Sequence, residues 1–163
     1  MVRAADGDVT ITCEKKRVDH GPAAAQKPSQ EVKKTENWGY TVTVENEAFK
    51  ALQNLQVKYV IYYKQEKLGI KAPPRKQTKT GTFTIDSVDS LGKTSFDTVS
   101  VPLTRAVLVG SDVGGYDYFP NGAKPTAEDT LTGIWIRIYK DGSQFAEFAY
   151  PAGLTSSEQW KDN

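Results

Sequence analysis

Trp38-Gly39-Tyr40-Thr41-Val42-Thr43-Val44-Glu45 alternates along its whole length, with Trp38, Tyr40, Val42 and Val44 on one face and threonine and glutamate on the other. Successive side chains of an extended backbone point to opposite sides, so this pattern belongs to a strand with one buried face. The next apolar run, Leu55-Gln56-Val57-Lys58-Tyr59-Val60-Ile61-Tyr62-Tyr63-Lys64, puts Leu55, Val57, Tyr59, Ile61 and Tyr63 together. Its β-branched and aromatic content predicts a central strand. Between the two runs, residues 46–54 suit either a single helical turn or a loop, with asparagines marking the ends.

Outward from this pair the alternation continues. Residues 8–16 place Val9, Ile11 and Cys13 on one face. Residues 80–88 and 95–103 are shorter alternating runs joined by Asp89-Ser90-Leu91-Gly92-Lys93, which predicts a hairpin. Residues 132–140 carry Ile134, Ile136 and Ile138 on one face, Asp141-Gly142 supplies a turn, and residues 144–150 return. Asp-Gly between alternating strands is a strong hairpin signal, because a type I′ turn needs φ > 0 at both central positions. About seven short strands with no amphipathic helix of three turns predict an all-β fold, an antiparallel β-sandwich. The immunoglobulin-like architecture is its commonest form, here without the inter-sheet disulfide, and a closed barrel is the alternative. At 163 residues and 18.0 kDa the chain, residues 1–163, is expected to be a single domain.

Composition narrows the chemistry. There are 21 basic and 20 acidic residues, one histidine, one cysteine and one methionine. A net charge of +1 lacks the footprint of a broad nucleic-acid-binding face. His20 and Cys13 cannot by themselves supply the three or four N/S ligands of a zinc site. His20 has no Gly-x-Ser-x-Gly partner motif, since Gly110-Ser111-Asp112-Val113-Gly114 misplaces the serine. No catalytic residue, cofactor or metal site is therefore predicted. Cys13 reads as a buried thiol. Asp112 and Asp117 share a glycine-rich loop and read as turn formers, with calcium ligation and paired-carboxylate hydrolysis of a glycosidic bond as the other options. No apolar run approaches the ~18 residues needed to cross a bilayer, and residues 1–8 lack a signal-peptide core. Removal of a signal or anchor segment is the expectation.

Three stretches interrupt the strands. Residues 18–37 read as a long crossing linker, with residues 31–34 pairing as an edge. Residues 105–129 form the longest insertion. Residues 64–79 read as a basic loop, containing Pro73-Pro74 and the cations Lys64, Lys67, Lys71, Arg75, Lys76 and Lys79. Such a loop suits an acidic partner, a sulfated glycan or an anionic membrane surface, the competing expectation being a solvated loop whose charges keep neighbouring edges from pairing. The strands themselves predict a second surface. With Ile134, Ile136 and Ile138 inward, Trp135, Arg137 and Tyr139 project outward, and so do Lys58, Val60, Tyr62 and Lys64 on the neighbouring strand. These form one aromatic band with basic flanks, rich in residue types that dominate binding energetics. The competing expectation is that residues 105–129, or the chain end with Trp160, fold over this face.

Asn37-Trp38-Gly39-Tyr40-Thr41-Val42-Thr43-Val44-Glu45-Asn46, residues 55–64 and Gly133-Ile134-Trp135-Ile136-Arg137-Ile138-Tyr139-Lys140-Asp141-Gly142 resemble immunoglobulin-like proteins of Verrucomicrobia-type gut bacteria, encoded with type IV pilus-like clusters. The resemblance spans roughly residues 38–150 and rests on strand and turn patterns. It implies an exported, non-enzymatic protein at the cell surface or in the periplasm, associated with filaments or adhesion and with other protein subunits or its own copies as partners. The long apolar assembly helix of a pilin is missing, which points to an accessory role or a removed segment. A carbohydrate-binding module, stacking Trp135 and Tyr62 on the sugar rings of host glycans, is the alternative.

Overall fold

The computed structural model describes residues 8–20, 31–69, 71–108 and 126–161. They form nine strands and one short helix: β1 (Val9–His20), β2 (Glu31–Asn46), β3 (Leu52–Gln65), β4 (Arg75–Val88), β5 (Lys93–Asp97), β6 (Val101–Leu108), β7 (Thr126–Glu128), β8 (Thr130–Lys140), β9 (Ser143–Tyr150) and α1 (Leu154–Ser157). Sheet A has the order β1-β2-β6-β7, with β5 also on β2, and sheet B the order β4-β3-β8-β9. All pairings are antiparallel. The inward faces are the ones that alternation selects. Val9, Ile11, Tyr40, Val42 and Val44 of sheet A pack with Leu55, Val57, Tyr59, Ile61, Ile134, Ile136 and Ile138 of sheet B in one buried cluster. Each fully buried Val, Leu or Ile side chain contributes about 1.5–3 kcal/mol. This shared core defines the protein as an all-β sandwich.

The β8–β9 hairpin forms as expected, with positive φ at Asp141 (52°) and Gly142 (79°). The expected hairpin of residues 80–88 with 95–103 does not. β4 belongs to sheet B, whereas β5 and β6 belong to sheet A, so residues 89–92 cross between sheets. The run 95–103 is itself divided. β5 pairs with the second half of β2 and β6 with its first half, and residues 98–100 step between them. Gly39 admits that step, because a Cβ there would lie 2.9 Å from both Thr98 Oγ1 and the Val99 carbonyl oxygen. The expected linker is also corrected. Residues 18–20 extend β1 and residues 31–37 belong to β2, its neighbour in the same sheet.

Of residues 46–54 only 47–51 form a loop, since Asn46 ends β2 and residues 52–54 begin β3, and that loop is built by Asn46. Its buried side chain donates from Nδ2 to the carbonyls of Lys50 (2.8 Å) and Asp89 (3.1 Å) and accepts from the Ala48 N–H (3.0 Å). One amide thereby ties the β2–β3 loop to the crossing segment. The basic stretch is shorter as a loop than expected: β3 runs to Gln65 and β4 starts at Arg75. Lys67 and Lys71 lie in the connection, while Arg75, Lys76 and Lys79 stand on β4, an edge strand.

Candidate functional site

Two surfaces present themselves. The first is the outward face of sheet B, where the aromatic band was expected. Register places Val60 beside Trp135 and Lys58 beside Arg137, so the expected adjacency is present. Its exposure is not. Tyr62 is 2% and Trp135 7% exposed, because residues 151–160 fold across them. Leu154 of α1 packs on Val60, Tyr62, Trp135 and Ala149, and Tyr62 Oη donates to the Gln159 carbonyl (2.5 Å). The Trp160 ring meets the Trp135 ring edge-on at 5.6 Å. Apolar faces of Tyr62 and Trp135 are removed from water by this strap, so neither is available to a sugar ring or a partner in this arrangement.

Arg137 closes the strap. Its guanidinium lies 4.3 Å from the Trp160 ring centroid and 5.2 Å from that of Trp135, and its Nε donates to Glu147 (3.0 Å). Burial pushes the Tyr62 hydroxyl up to about 12, helped by the Glu158 carboxylate and opposed by Arg137. Beyond the strap, Tyr139 is half-buried with Lys58 Nζ 5.3 Å from its ring centroid, and Lys64 is half-buried at the end of β3.

The second surface follows the edge of sheet B. β4 has β3 on one side and no strand on the other among the described residues. Of its fourteen residues only Ile85 and Val88 are buried. The outward residues of β3 fix its faces: Lys58, Val60, Tyr62 and Lys64 stand opposite Thr82, Thr80, Thr78 and Lys76. The inward face carries Lys79, Gly81 and Phe83. A Cβ on Gly81 would fall 2.3 Å from the Tyr59 ring, and Phe83, 39% exposed, stacks on Phe96 with centroids 4.4 Å apart. Lys67, Lys71, Arg75, Lys76 and Lys79 are all exposed, and Lys76 pairs with Glu158 at 3.2 Å.

Sequence reading did not single out a cleft of about 310 Å³ where the inward face of sheet A continues beyond the core. Lys15, Glu36, Trp38, Leu103, Arg105 and Asp129 line it. Glu36 accepts from Trp38 Nε1 (3.0 Å) and Lys34 Nζ (3.0 Å), contacts that hold its carboxyl below the usual range. Asp129 is committed to structure, accepting from the Glu66 and Thr104 amides (3.1 and 2.9 Å). The alternation of Trp38 with Tyr40 was the available signal, but it gave no sign of the cleft beside Trp38. Among the described residues no three His, Cys, Asp or Glu side chains gather as metal ligands. Asp112 and Asp117 lie outside the described residues.

No protein family and no curated protein matches the chain. A solved structure described as the X-ray structure of Northeast Structural Genomics Consortium target SoR45 is similar over 88% of this chain and 86% of that chain, with a TM-score of 0.40 and 8% identity. No helix among the described residues is long and apolar enough to cross a membrane.

Proposed function

We propose that this chain is a non-enzymatic binding and assembly protein, exported to the surface or periplasm as a component of a filament or adhesion system. It contacts other protein subunits along β4. The observation that supports this reading is the position of β4 at the end of sheet B, with no further strand beside it among the described residues, together with its basic flank. An open edge offers a row of unmatched backbone groups to an incoming strand, and the cations beside it attract acidic segments. Tyr62 and Trp135 of the outward aromatic band have no part in the contact, because the strap covers them. The test is retention of fluorescently labelled protein on cells that assemble the filament. The full chain should be retained, and Thr80→Lys with Thr82→Lys, which adds charge to the outward side of β4, should lose most of that retention. Equal retention of both would refute the reading.

A second reading, saccharide binding, is favoured by Trp38 in the wall of the sheet A cleft, where an indole beside charged side chains suits a sugar ring. A glycan array decides it: Trp38-dependent binding of defined glycans supports it, and no saccharide signal removes it.

A further inference from the structure

The inward face of sheet A continues past the core. Register carries it on through Trp38, Glu36 and Lys34 of β2, Arg105 of β6 and Glu128 of β7, and these side chains line the cleft of about 310 Å³ together with Lys15 of β1. Lys15 stands opposite Tyr40 and Arg105 opposite Lys34, six residues further along β2. At the rise of an extended strand that separation is about 20 Å. The cleft is therefore a trough with a cation at each end and an indole between them.

Its charges are unequally engaged. Lys34 and Glu36 neutralise each other at 3.0 Å, and Asp129 is held by two backbone N–H groups. Lys15 and Arg105 are exposed, and neither enters an ion pair among the described residues. Glu128 stands opposite Arg105 on β7 and forms no ion pair with it. Both ends of the trough thus carry an unmatched cation, one of them weakened by a carboxylate across the strands. Glu36 takes the Trp38 Nε1–H (3.0 Å), so the indole offers a ligand its ring face and not a donor. Apart from Trp38 and two leucines the lining is polar or charged, which suits a chain of hydroxyls better than apolar anchors.

We propose that this trough binds an acidic oligosaccharide several sugars long, with one carboxylate or sulfate at Lys15, another at Arg105, and a sugar ring between them on the face of Trp38. Arg105 can take a planar oxyanion through two parallel hydrogen bonds, and Lys15 acts as a point charge. The C–H face of a sugar ring packs on the electron-rich face of the indole. A single sugar cannot reach both cations, and a neutral chain leaves both unmatched.

The inference rests on the saccharide reading and adds the charge and length of the ligand. An array of neutral, uronate-bearing and sulfated oligosaccharides of graded length, probed with the full chain, tests it. Acidic chains should bind above neutral chains of equal length and long ones above short, with salt weakening them; the class that binds better identifies the anionic group. Lys15→Gln and Arg105→Gln should each weaken acidic chains about tenfold, the scale of one charge-assisted hydrogen bond, and leave neutral chains unchanged. Glu128→Gln should strengthen acidic binding a few-fold, because it removes the carboxylate opposite Arg105. Opposite signs from substitutions on paired strands separate an anion site from a loss of structure. Equal binding of neutral and acidic chains, lost in Trp38→Ala that circular dichroism shows to be folded, would overturn the anion site and leave the saccharide reading standing. Acidic binding indifferent to Lys15 and Arg105 but lost on replacing Lys71 and Arg75 would move the anions to the basic flank of β4 and overturn the proposal. No saccharide signal at all would overturn both.

Discussion

At the scale of single residues, Cys13 shows what burial does to chemistry. It lies on the inward side of β1 opposite Val42, half-buried against the core. Burial, reinforced by the neighbouring Glu14 carboxylate, pushes its thiol up from 9.0 to about 11. The thiolate is the reactive form, so two units of displacement leave roughly a hundredfold less of it at pH 8. Native protein should react with a disulfide reagent about a hundredfold more slowly than a free cysteine, and protein unfolded in urea should react at the ordinary rate. Rapid labelling of the native chain would show that Cys13 is open to solvent. Alternation was enough to put this cysteine on the inward face. It was not enough to reveal Asn46, whose buried amide organises two connections, because an asparagine at a loop start looks the same whether its partners are local or forty residues away.

Elements show where legibility ended. Period-two alternation identified β2, β3, β8 and β9 because each has one apolar side, and the Asp141-Gly142 turn fixed one pairing. It said which way a side chain points relative to its own sheet and nothing about what lies beyond. Trp135 and Tyr62 do point outward, yet a segment without periodicity covers them. The link at residues 89–92 has turn chemistry that serves equally for a return in the same sheet or a crossing to the other. Lysine and threonine hid the first part of β4, residues 75–79, which read as loop although the run 80–88 read as a strand, since an edge strand near the rim of a core needs few apolar residues. The strap gives a test at this scale. Gly133 lets it approach, as a Cβ there would lie 3.0 Å from Pro151 Cδ and 3.1 Å from Leu154 Cδ1. Trp160→Ala removes the ring that Arg137 covers and that meets Trp135 edge-on, and should cost about 1–2 kcal/mol in urea unfolding. It should also shift tryptophan emission to the red as Trp135 meets water. An unchanged midpoint with unchanged emission would show that the strap does not depend on Trp160.

For the whole molecule, the 21 cations and 20 anions balance near neutrality, and the shifted groups set both ends of the pH range. Asp97 ties β5 to β1 and β2, accepting from Lys16 (2.6 Å) and Thr41 (2.8 Å), and these bonds hold its carboxyl below 3.8. Glu36, bonded to Lys34 and Trp38, is held below 4.5. The unfolded chain binds these protons first. The stabilisation is therefore complete above the unfolded values and is lost as pH falls through the lower folded ones. Asp97 is exposed and Glu36 half-buried, but the lysines that pair with them, Lys16 and Lys34, stand in solvent, so the effect is modest and salt weakens it. Cys13 and Tyr62 act at the other end, with folded values raised by burial to about 11 and about 12 from 9.0 and 10.0. Their contribution is complete below the unfolded values and is lost as pH rises through the folded ones. Urea midpoints should be level from about pH 5 to about pH 8, falling below about pH 4 and above about pH 9. Asp97→Asn should flatten the acid limb, and Cys13→Ser should delay the onset of the alkaline limb. If both variants reproduced the parent profile, the limbs would belong to the general charging of the chain and not to these groups.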